Sequence, residues 1–274
     1  AMERLGGHVI VEANPKVTSS VAKEESIEDT MRCISQYANL MVIRHYDADE
    51  ARRGAEAAEC PVINGGWGHW EHPTQALLDA LTIAQRTGRT DGFDFTGLTV
   101  AIVGDIAHSR VARSNALLLP ALGAEVTLVG PAAFLPVPAA DGTRLGLRAE
   151  TSLDAVIGER PDALMLLRVQ LERQAGKVAP SVGEYITGWS LTDERLARLG
   201  DAAIMHPGPM NRGLELSSRA ADGDASTVLA QVTAGVSVRM AVLYSLLASD
   251  HATDQRSADH RPADHRPAND GGLR

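Results

Sequence analysis

Cysteine is scarce in this chain of 274 residues, which contains two. Cys33 and Cys60 are too few for a disulfide framework or for a zinc site built from four cysteines. No uninterrupted apolar run reaches the roughly 18 residues that a membrane span needs, and no basic-then-apolar leader pattern occurs. We therefore expect a soluble protein of the reducing cytoplasm that makes no contact with a membrane.

Positive charge is also in deficit. The 26 Lys and Arg residues face 35 Asp and Glu residues, which gives a net charge of −9. Because no block of basic residues interrupts this balance, we expect no nucleic-acid partner. A few arginines can still create a local positive pocket in an acidic protein, so a site for a small anion stays open.

The common cofactor and nucleophile motifs are missing. The sequence has no Gly-x-Gly-x-x-Gly for a dinucleotide and no Gly-x-x-x-x-Gly-Lys-Ser/Thr loop for a nucleoside triphosphate. It has no Gly-x-Ser-x-Gly elbow and no spacing typical of metal ligands. We therefore predict a site that works with neither a cofactor nor a metal.

Short apolar segments alternate with segments of helical apolar spacing along most of the chain. This alternation predicts an α/β fold of two doubly wound parallel-sheet domains, with a C-terminal helix that returns to the first domain. Strands are predicted at His8–Val11, Leu40–Ile43, Pro61–Ile63, Leu98–Val103, Glu125–Val129, Ala163–Leu167 and Ala202–Met205. Helices are predicted after Ser26, from Pro73 to Gly88, over Arg110–Leu122 and Ser152–Glu159, and over about Thr227–Ala248.

The polar, glycine-containing stretch near 86–97 is the predicted boundary between the two domains. It separates a first domain at 1–85 from a second at 86–225, with the C-terminal helix at 226–250. The tail at 251–274 contains a repeated Ala-Asp-His-Arg-Pro and almost no large apolar side chain. Such a composition cannot offset the entropy of ordering, so this tail is predicted to be disordered.

Arginine and histidine recur where the predicted strands end. Ligands of open α/β sheets bind beyond the carboxyl ends of the strands. An arginine fork binds phosphate and carboxylate oxygens in a bidentate manner, so several arginines at one crevice suit an anionic substrate. Any single arginine could instead pair at the surface, but the whole set favours a binding site. The residues that follow the strands are Arg44, Arg110, Arg168 and His206, with Asn64-Gly65-Gly66 and His72 after the third predicted strand.

Four motifs carry a specific family resemblance. In chain order they read EHPTQALLDALT, VGDIAHSRVARSN, MLLRVQLER and MHPGPMNRGLE. With this order and spacing the chain resembles the catalytic chains of aspartate carbamoyltransferases, over about 1–248. Ornithine carbamoyltransferases share the fold, but they carry a cysteine in place of the turn that begins at His206. The turn and the triplet from Arg168 to Gln170 favour the aspartate enzymes.

The resemblance implies a reaction and a set of residues. The family transfers the carbamoyl group of carbamoyl phosphate to the amine of L-aspartate, a step of pyrimidine biosynthesis that yields N-carbamoyl-L-aspartate and phosphate. The matching catalytic residues are His72, Arg44 and Lys23. The residues that match the carbamoyl phosphate site are Arg44, His72, Gln75, Ser19, Gly208 and Pro209. Those that match the aspartate site are Lys23, Arg110, Arg168 and Gln170.

The resemblance also implies partners. The segment from Thr18 to Ser26 matches a loop that reaches into the site of a neighbouring subunit, which implies a homotrimer with shared active sites. Association with other enzymes of the pyrimidine pathway is a further possibility. The transfer chemistry itself needs a clamp for a dianion, a donor for an oxyanion and a second anion clamp, and it needs no metal.

Several departures from the family pattern leave other interpretations open. The family's Ser-Thr-Arg-Thr phosphate loop has no match, so we expect an N-terminally truncated first domain and poor activity of this chain alone. Glu24, Gly65 and Trp67 stand where glycine, alanine and aspartate are usual. These departures motivate one alternative, a non-catalytic homologue that acts as a scaffold for another pyrimidine-pathway enzyme. The other alternative is a carbamoyltransferase for another amino acid.

Overall fold

The computed structural model describes residues 1–12, 25–135, 147–169 and 179–258. Seven strands and nine α-helices are found in these ranges, with short 3₁₀ turns at Glu3–Leu5 and Ala132–Phe134. The strands are β1 (Met41–His45), β2 (Val62–Trp67), β3 (Thr99–Val103), β4 (Glu125–Val129), β5 (Arg148–Glu150), β6 (Ala163–Leu166) and β7 (Ala203–Met205). The helices are α1 (Ile27–Ser35), α2 (Ala48–Ala57), α3 (Pro73–Thr87), α4 (Arg110–Ala121), α5 (Leu153–Gly158), α6 (Val182–Trp189), α7 (Asp193–Leu199), α8 (Ser218–Asp222) and α9 (Val228–Ala258).

The strands form two parallel sheets, which confirms the predicted α/β class. Within the described residues, the first sheet pairs β1 with β2. The second sheet runs β5-β4-β3-β6-β7, and all of its strands are parallel. The chain moves outward from β3 to β5 and then returns to the other side of β3 with β6. The carboxyl ends of β3 and β6 therefore border the point where the winding reverses, which is where ligands bind in such sheets.

The second sheet is buried on both faces. Val100, Ile102 and Met165 belong to one apolar cluster, whereas Ala101 and Leu164 belong to another. This alternation is the expected result of a side-chain period of two in strands whose faces are both covered by helices. The continuous apolar run that predicted β3 has this double burial as its physical cause.

Helix α3 joins the two sheets and sets the position of the residues at its beginning. Pro73 lies at its first turn, and Gly88 closes it in a left-handed conformation with φ of 70°. Its Ile83 and Ala84 are buried in the core of the second sheet, although its first turn follows β2 of the first sheet. His72 and Gln75 are therefore held at the junction of the two domains.

The last helix packs against α3, as predicted. By length and composition its segment Val228–Ala248, with a mean hydropathy of 1.3, could cross a membrane. No membrane-spanning segment was predicted from the sequence, because that prediction rests on uninterrupted apolar runs. Gln231 and Arg239 interrupt this segment, although its average composition is apolar. In the structure, Ala234 and Leu243 are buried, and Gln231 donates a hydrogen bond to buried Asp79. These contacts bury one side of the helix in the fold, whereas Leu229, Val232 and Tyr244 on the same helix are exposed.

Two sequence-based expectations are corrected. The predicted strand at His8–Val11 is not formed, and Val9, Ile10 and Val11 are exposed because no described strand pairs with them. The last helix continues to Ala258, so the predicted disorder does not begin at 251. Residues 259–274 lie outside the described residues. Helix α2 was not predicted, and its N-cap is Asp47, whose side chain accepts from the amides of Asp49 and Glu50.

Candidate active site

Arg44 in β1 and Arg110 at the start of α4 both contact the glycine backbone at the end of β2. Arg44 Nη1 lies 3.5 Å from the carbonyl oxygen of Gly65. Arg110 Nη1 lies 3.4 Å and 3.1 Å from the carbonyl oxygens of Gly66 and Gly68. Burial lowers the pKa of Arg110, and the charge of Arg44 lowers it further, so the two guanidinium groups repel each other across a short gap. Two like charges held together in this way favour an anion between them.

His72 lies beside these arginines as a neutral imidazole. Its backbone N–H donates to Ser114 Oγ at 2.8 Å, which fixes the residue ahead of α3. Burial, and then the charges of Arg110, Arg44 and Arg239, lower its pKa to about 4. Its Nδ1 is buried, and no described group bonds to it. A neutral imidazole among cations is suited to donate a hydrogen bond to an oxygen that gains negative charge, without taking up a proton itself.

Gln75 is anchored one turn into α3 by a buried carboxylate. Its Nε2 donates to Asp79 Oδ1 at 2.9 Å, and the exposed fraction of Gln75 is only 7%. Asp79 also accepts from Asn115 Nδ2 on α4 and from Gln231 Nε2 on α9. Burial raises the pKa of Asp79 to about 6, whereas the hydrogen bonds oppose that rise.

The turn after β7 forms a second group of site residues. His206 Nδ1 accepts from the backbone N–H of Gly208 at 2.9 Å, so the imidazole proton is on Nε2. That Nε2 lies 3.8 Å from Glu215 Oε2, and both side chains are fully buried. Burial, and then the charge of Arg168, lower the pKa of His206 to about 4, so it is neutral as well. Gly208 and Pro209, joined by a cis peptide, are exposed at the outside of this turn.

Arg168 extends from the end of β6 beside this turn. Its side chain is exposed, and its charge lowers the pKa values of His206 and Glu215, although burial raises that of Glu215 overall. Glu215 Oε1 accepts from the amide of Val169 at 3.0 Å, which fixes the backbone next to Arg168. The backbone beside Arg168 is therefore fixed, and within the described residues no group forms a hydrogen bond or ion pair with its guanidinium.

The structure brings most of the predicted residues into two groups. Arg44, Arg110 and His72 form the first, and Arg168 with the turn from His206 to Pro209 forms the second. A chain of hydrogen bonds joins the groups, from Gln75 through Asp79 and Gln231 to the backbone N–H of His206. Arg110 and Arg168, both assigned to aspartate, lie in different groups, and no contact between them occurs in the described ranges. Ser19, Lys23 and Gln170, like Glu24, lie outside the described residues.

The unusual residues of the β2 loop have structural roles. Trp67 ends β2 opposite His45, and its indole Nε1 donates to the carbonyl oxygen of Ile43 at 3.0 Å. A Cβ at Gly65 would lie 3.1 Å from the same carbonyl oxygen, so the missing side chain leaves room for this close approach. Trp67 thus braces β1 against β2 and adds no charge to the site.

Sequence analysis missed the buried polar residues that support the site. Asp79 follows Gln75 by four positions, which places both side chains on the same face of α3, and this spacing was an available signal. Glu215 accepts from Asn211 four positions earlier, which was a similar local signal. Asn115 and Gln231 gave none, because their bonds to Asp79 join residues 36 and 152 positions apart. In the part of the chain that the structure describes, no group of three or more potential metal ligands is found.

Comparison with known families places these features in context. Residues 1–85 match the carbamoyl-phosphate-binding domain of aspartate/ornithine carbamoyltransferases, and residues 96–246 match their aspartate/ornithine-binding domain. The chain therefore belongs to the aspartate/ornithine carbamoyltransferase family.

Within this family, its relatives are aspartate enzymes. The aspartate carbamoyltransferase catalytic subunit of Micrococcus luteus is 48% identical over 248 residues, which is 85% of this chain and 75% of that protein. The corresponding subunit of Thermobifida fusca is 52% identical over 231 residues, which is 84% of this chain and 71% of the relative.

Solved structures agree with this assignment. Aspartate transcarbamoylase from Trypanosoma cruzi in complex with N-(phosphonacetyl)-L-aspartic acid superposes with a TM-score of 0.76 at 29% identity. The match covers 89% of this chain and 77% of the Trypanosoma chain. The same enzyme in complex with carbamoyl phosphate and aspartate superposes with a TM-score of 0.72 at 27% identity, over 89% of this chain and 76% of the other.

Proposed function

We propose that this chain transfers the carbamoyl group of carbamoyl phosphate to the amine of L-aspartate, giving N-carbamoyl-L-aspartate and phosphate. The observation that carries the proposal is neutral His72 beside the cations Arg44 and Arg110. This arrangement offers a dianion clamp and an uncharged donor at one place. It meets the needs of an acyl transfer from a phosphorylated donor, in which charge develops on the carbonyl oxygen.

In the proposed reaction, the amine of aspartate attacks the carbonyl carbon of carbamoyl phosphate. The carbonyl oxygen gains negative charge, and the N–H of His72 donates to it. The bond between the carbon and the bridging oxygen then breaks, phosphate leaves with the electron pair, and the proton that the amine loses passes to the leaving phosphate. Arg44 compensates the charge of the phosphate, and Gly208 and Pro209 present carbonyl oxygens to the carbamoyl NH₂.

Arg110 and Arg168 are the proposed partners of the aspartate carboxylates. A dicarboxylate needs two cationic partners, and the structure supplies one arginine on each side of the buried hydrogen-bond chain. Gln170 would assist beside Arg168. A carbamoyltransferase for another amino acid is not favoured, because the chain is about half identical to enzymes named for aspartate. The same identity disfavours a non-catalytic scaffold.

The proposal includes a homotrimer with shared sites in the cytoplasm. Its support is the family membership and the match of the segment from Thr18 to Ser26 to a loop that serves a neighbouring subunit. Ser19 would contact carbamoyl phosphate, and Lys23 would act as a catalytic residue that binds aspartate. Two free cysteines, Cys33 and Cys60, suit a reducing compartment.

Two measurements on the chain test the reaction. Calorimetry measures binding of N-(phosphonacetyl)-L-aspartate, and a product assay measures carbamoyl aspartate, with ornithine as the competing acceptor. We expect saturable binding of the bisubstrate compound and product from aspartate only. Binding is the primary measurement, because calorimetry detects it without turnover. A chain that binds neither this compound nor carbamoyl phosphate would refute the proposal.

A further inference from the structure

Asp79 is a buried carboxylate whose hydrogen-bond partners come from three helices. The side chain is fully buried. Its Oδ1 accepts hydrogen bonds from Gln75 Nε2 at 2.9 Å and from Gln231 Nε2 at 2.7 Å. Asn115 Nδ2 donates to its other oxygen at 2.8 Å. All three donors are neutral amides, and no described cation makes an ion pair with it. Such a group is costly to bury, and satisfying it with three amides is a specific arrangement.

The Asp79 carboxylate determines whether the NH₂ group or the oxygen of each side-chain amide faces it. An ionised carboxylate only accepts hydrogen bonds, so the NH₂ group of Gln75 must face Asp79 and its Oε1 must face away. Among the described residues, nothing donates to that Oε1. Gln231 is oriented in the same way, since its Nε2 donates to Asp79 while its Oε1 accepts from the backbone N–H of His206 at 2.9 Å.

The carbamoyl NH₂ of the proposed substrate only donates, so its site must supply acceptors. The Oε1 of Gln75 is one acceptor, and the exposed carbonyl oxygens of Gly208 and Pro209 are others. Asp79 contacts Gln75 directly and reaches the turn before Gly208 through Gln231. One buried carboxylate is therefore connected by hydrogen bonds to both proposed sources of acceptors.

We propose that Asp79 is a positioning residue that makes the site specific for a carbamoyl group, by holding the Gln75 amide with its oxygen toward the substrate and by fixing the turn at His206 through Gln231. This inference rests on the proposed function. Without the carboxylate, the Gln75 amide can rotate and present its NH₂ to the substrate. Two donors would then face each other, and the preference for the carbamoyl NH₂ over a methyl group would be lost.

The bisubstrate compound separates positioning from general damage. As its name states, N-(phosphonacetyl)-L-aspartate carries a phosphonoacetyl group, in which a methylene joins phosphorus to the carbonyl carbon, so it has no carbamoyl NH₂. Its affinity depends on the arginines and on His72 but does not depend on the direction of the Gln75 amide. Carbamoyl phosphate depends on all of them.

The experiment compares the affinities of the wild-type chain and of Asp79→Leu for three ligands by calorimetry. The ligands are carbamoyl phosphate, acetyl phosphate and N-(phosphonacetyl)-L-aspartate. Leucine has a similar size but accepts no hydrogen bond. We expect carbamoyl phosphate to bind about 10- to 100-fold more weakly, as for a lost hydrogen bond with a misplaced group. Acetyl phosphate and the bisubstrate compound should bind as in the wild type.

Asn115→Leu is the matched control. It removes the third amide donor of Asp79 but leaves the bonds to Gln75 and Gln231 in place, so it should retain the preference for carbamoyl phosphate over acetyl phosphate. If Asp79→Leu does not fold, Gln231→Leu replaces it, because this variant cuts the link to the turn at His206. It should weaken carbamoyl phosphate and spare the bisubstrate compound.

Two results would overturn the inference. One is an equal loss of affinity for all three ligands, which indicates a structural role alone. The other is unchanged discrimination between carbamoyl and acetyl phosphate in a folded variant. If the wild-type chain itself binds none of the ligands, the proposed function fails instead, so the two failures are distinguishable.

Discussion

The guanidinium of Arg110 lies against the backbone of Gly66, with its Nη1 3.4 Å from the Gly66 carbonyl oxygen. A Cβ at Gly66 would lie 3.1 Å from the Cζ of Arg110, and the φ of 117° at Gly66 disfavours any L side chain. The glycine therefore provides the space that places the arginine beside Arg44 and His72. The position of the Arg110 guanidinium, a proposed anion-binding group, thus depends on the absence of a Cβ atom at Gly66.

Gly66→Ala should displace Arg110 and weaken binding of N-(phosphonacetyl)-L-aspartate. Backbone strain at this φ costs about 1–3 kcal/mol of stability, and a shifted guanidinium loses its carboxylate partner. Gly88→Ala is the control, because Gly88 has a φ of 70° but no atom within 4 Å of the added Cβ. Urea unfolding should show a loss for both variants, and calorimetry should show weaker binding for Gly66→Ala only. Equal affinities of the two variants would contradict this role of Gly66.

Arg168→Ala should remove a partner of an aspartate carboxylate. Leaving one charge of a desolvated pair without its partner costs about 2–5 kcal/mol, so affinity for the bisubstrate compound should fall strongly while carbamoyl phosphate still binds. Arg212→Ala is the control, since Arg212 follows the same turn but pairs with Asp222 at 2.6 Å on the surface. Calorimetry with both ligands measures the difference. Unchanged affinity in Arg168→Ala would show that aspartate is held elsewhere.

His72 should make the stability of the chain depend on pH. Its pKa is about 4 in the folded chain, against 6.5 for an unperturbed histidine. Between pH 6.5 and pH 4, His72 is therefore protonated in the unfolded chain but neutral in the folded chain. Its contribution to the free energy of unfolding is complete above pH 6.5 and is lost as the pH falls toward 4. The free energy of unfolding of the wild type, relative to His72→Gln, should fall over this range.

Asp79 provides the opposite slope as an internal check. Its pKa is raised to about 6 in the folded chain, from 3.8 for an unperturbed carboxyl group. Its contribution to the free energy of unfolding is therefore complete below pH 3.8 and is lost as the pH rises through 6. Urea titrations at several pH values, with Asp79→Leu as reference, measure this change.

Proton NMR of the His72 ring tests the lowered pKa of His72 directly. A ring that titrates near pH 6.5 would contradict the assignment of His72 as a neutral donor.

Local sequence signals predicted six of the seven strands in the described residues, and β5 was missed. The apolar run at Leu98–Val103 is a strand because both faces of β3 are covered. Arg168 follows β6 as expected, whereas Arg44 lies within β1, because that strand continues to His45. Helix α2 was missed because its sequence ADEARRGAEA has no large apolar side chain to mark a buried face. The strand at His8–Val11 was wrong because a short apolar run does not by itself supply a partner strand.

The buried support of the site could be predicted only in part. The spacing of Gln75 and Asp79 on one helix was visible in the sequence. Asn115 and Gln231 join them only because α4 and α9 converge on α3, and Gln231 is 152 positions away from Asp79. Such a network is a consequence of tertiary packing. It determines the orientation of amide groups, which no local pattern encodes.

Subunits with different defects should restore activity to each other if sites are shared. Lys23→Ala removes a residue of the loop that is proposed to reach a neighbouring site, whereas His72→Ala removes a residue of the chain's own site. In mixed trimers from equal coexpression, a site that combines the intact loop of one chain with the intact His72 of the other should form in on the order of one quarter of cases. Formation of carbamoyl aspartate measures the recovery. A mixture of Arg168→Ala with His72→Ala is the control and should stay inactive, because every site then carries one defect. Mixed trimers that form but remain inactive in both mixtures would show that Lys23 serves its own subunit.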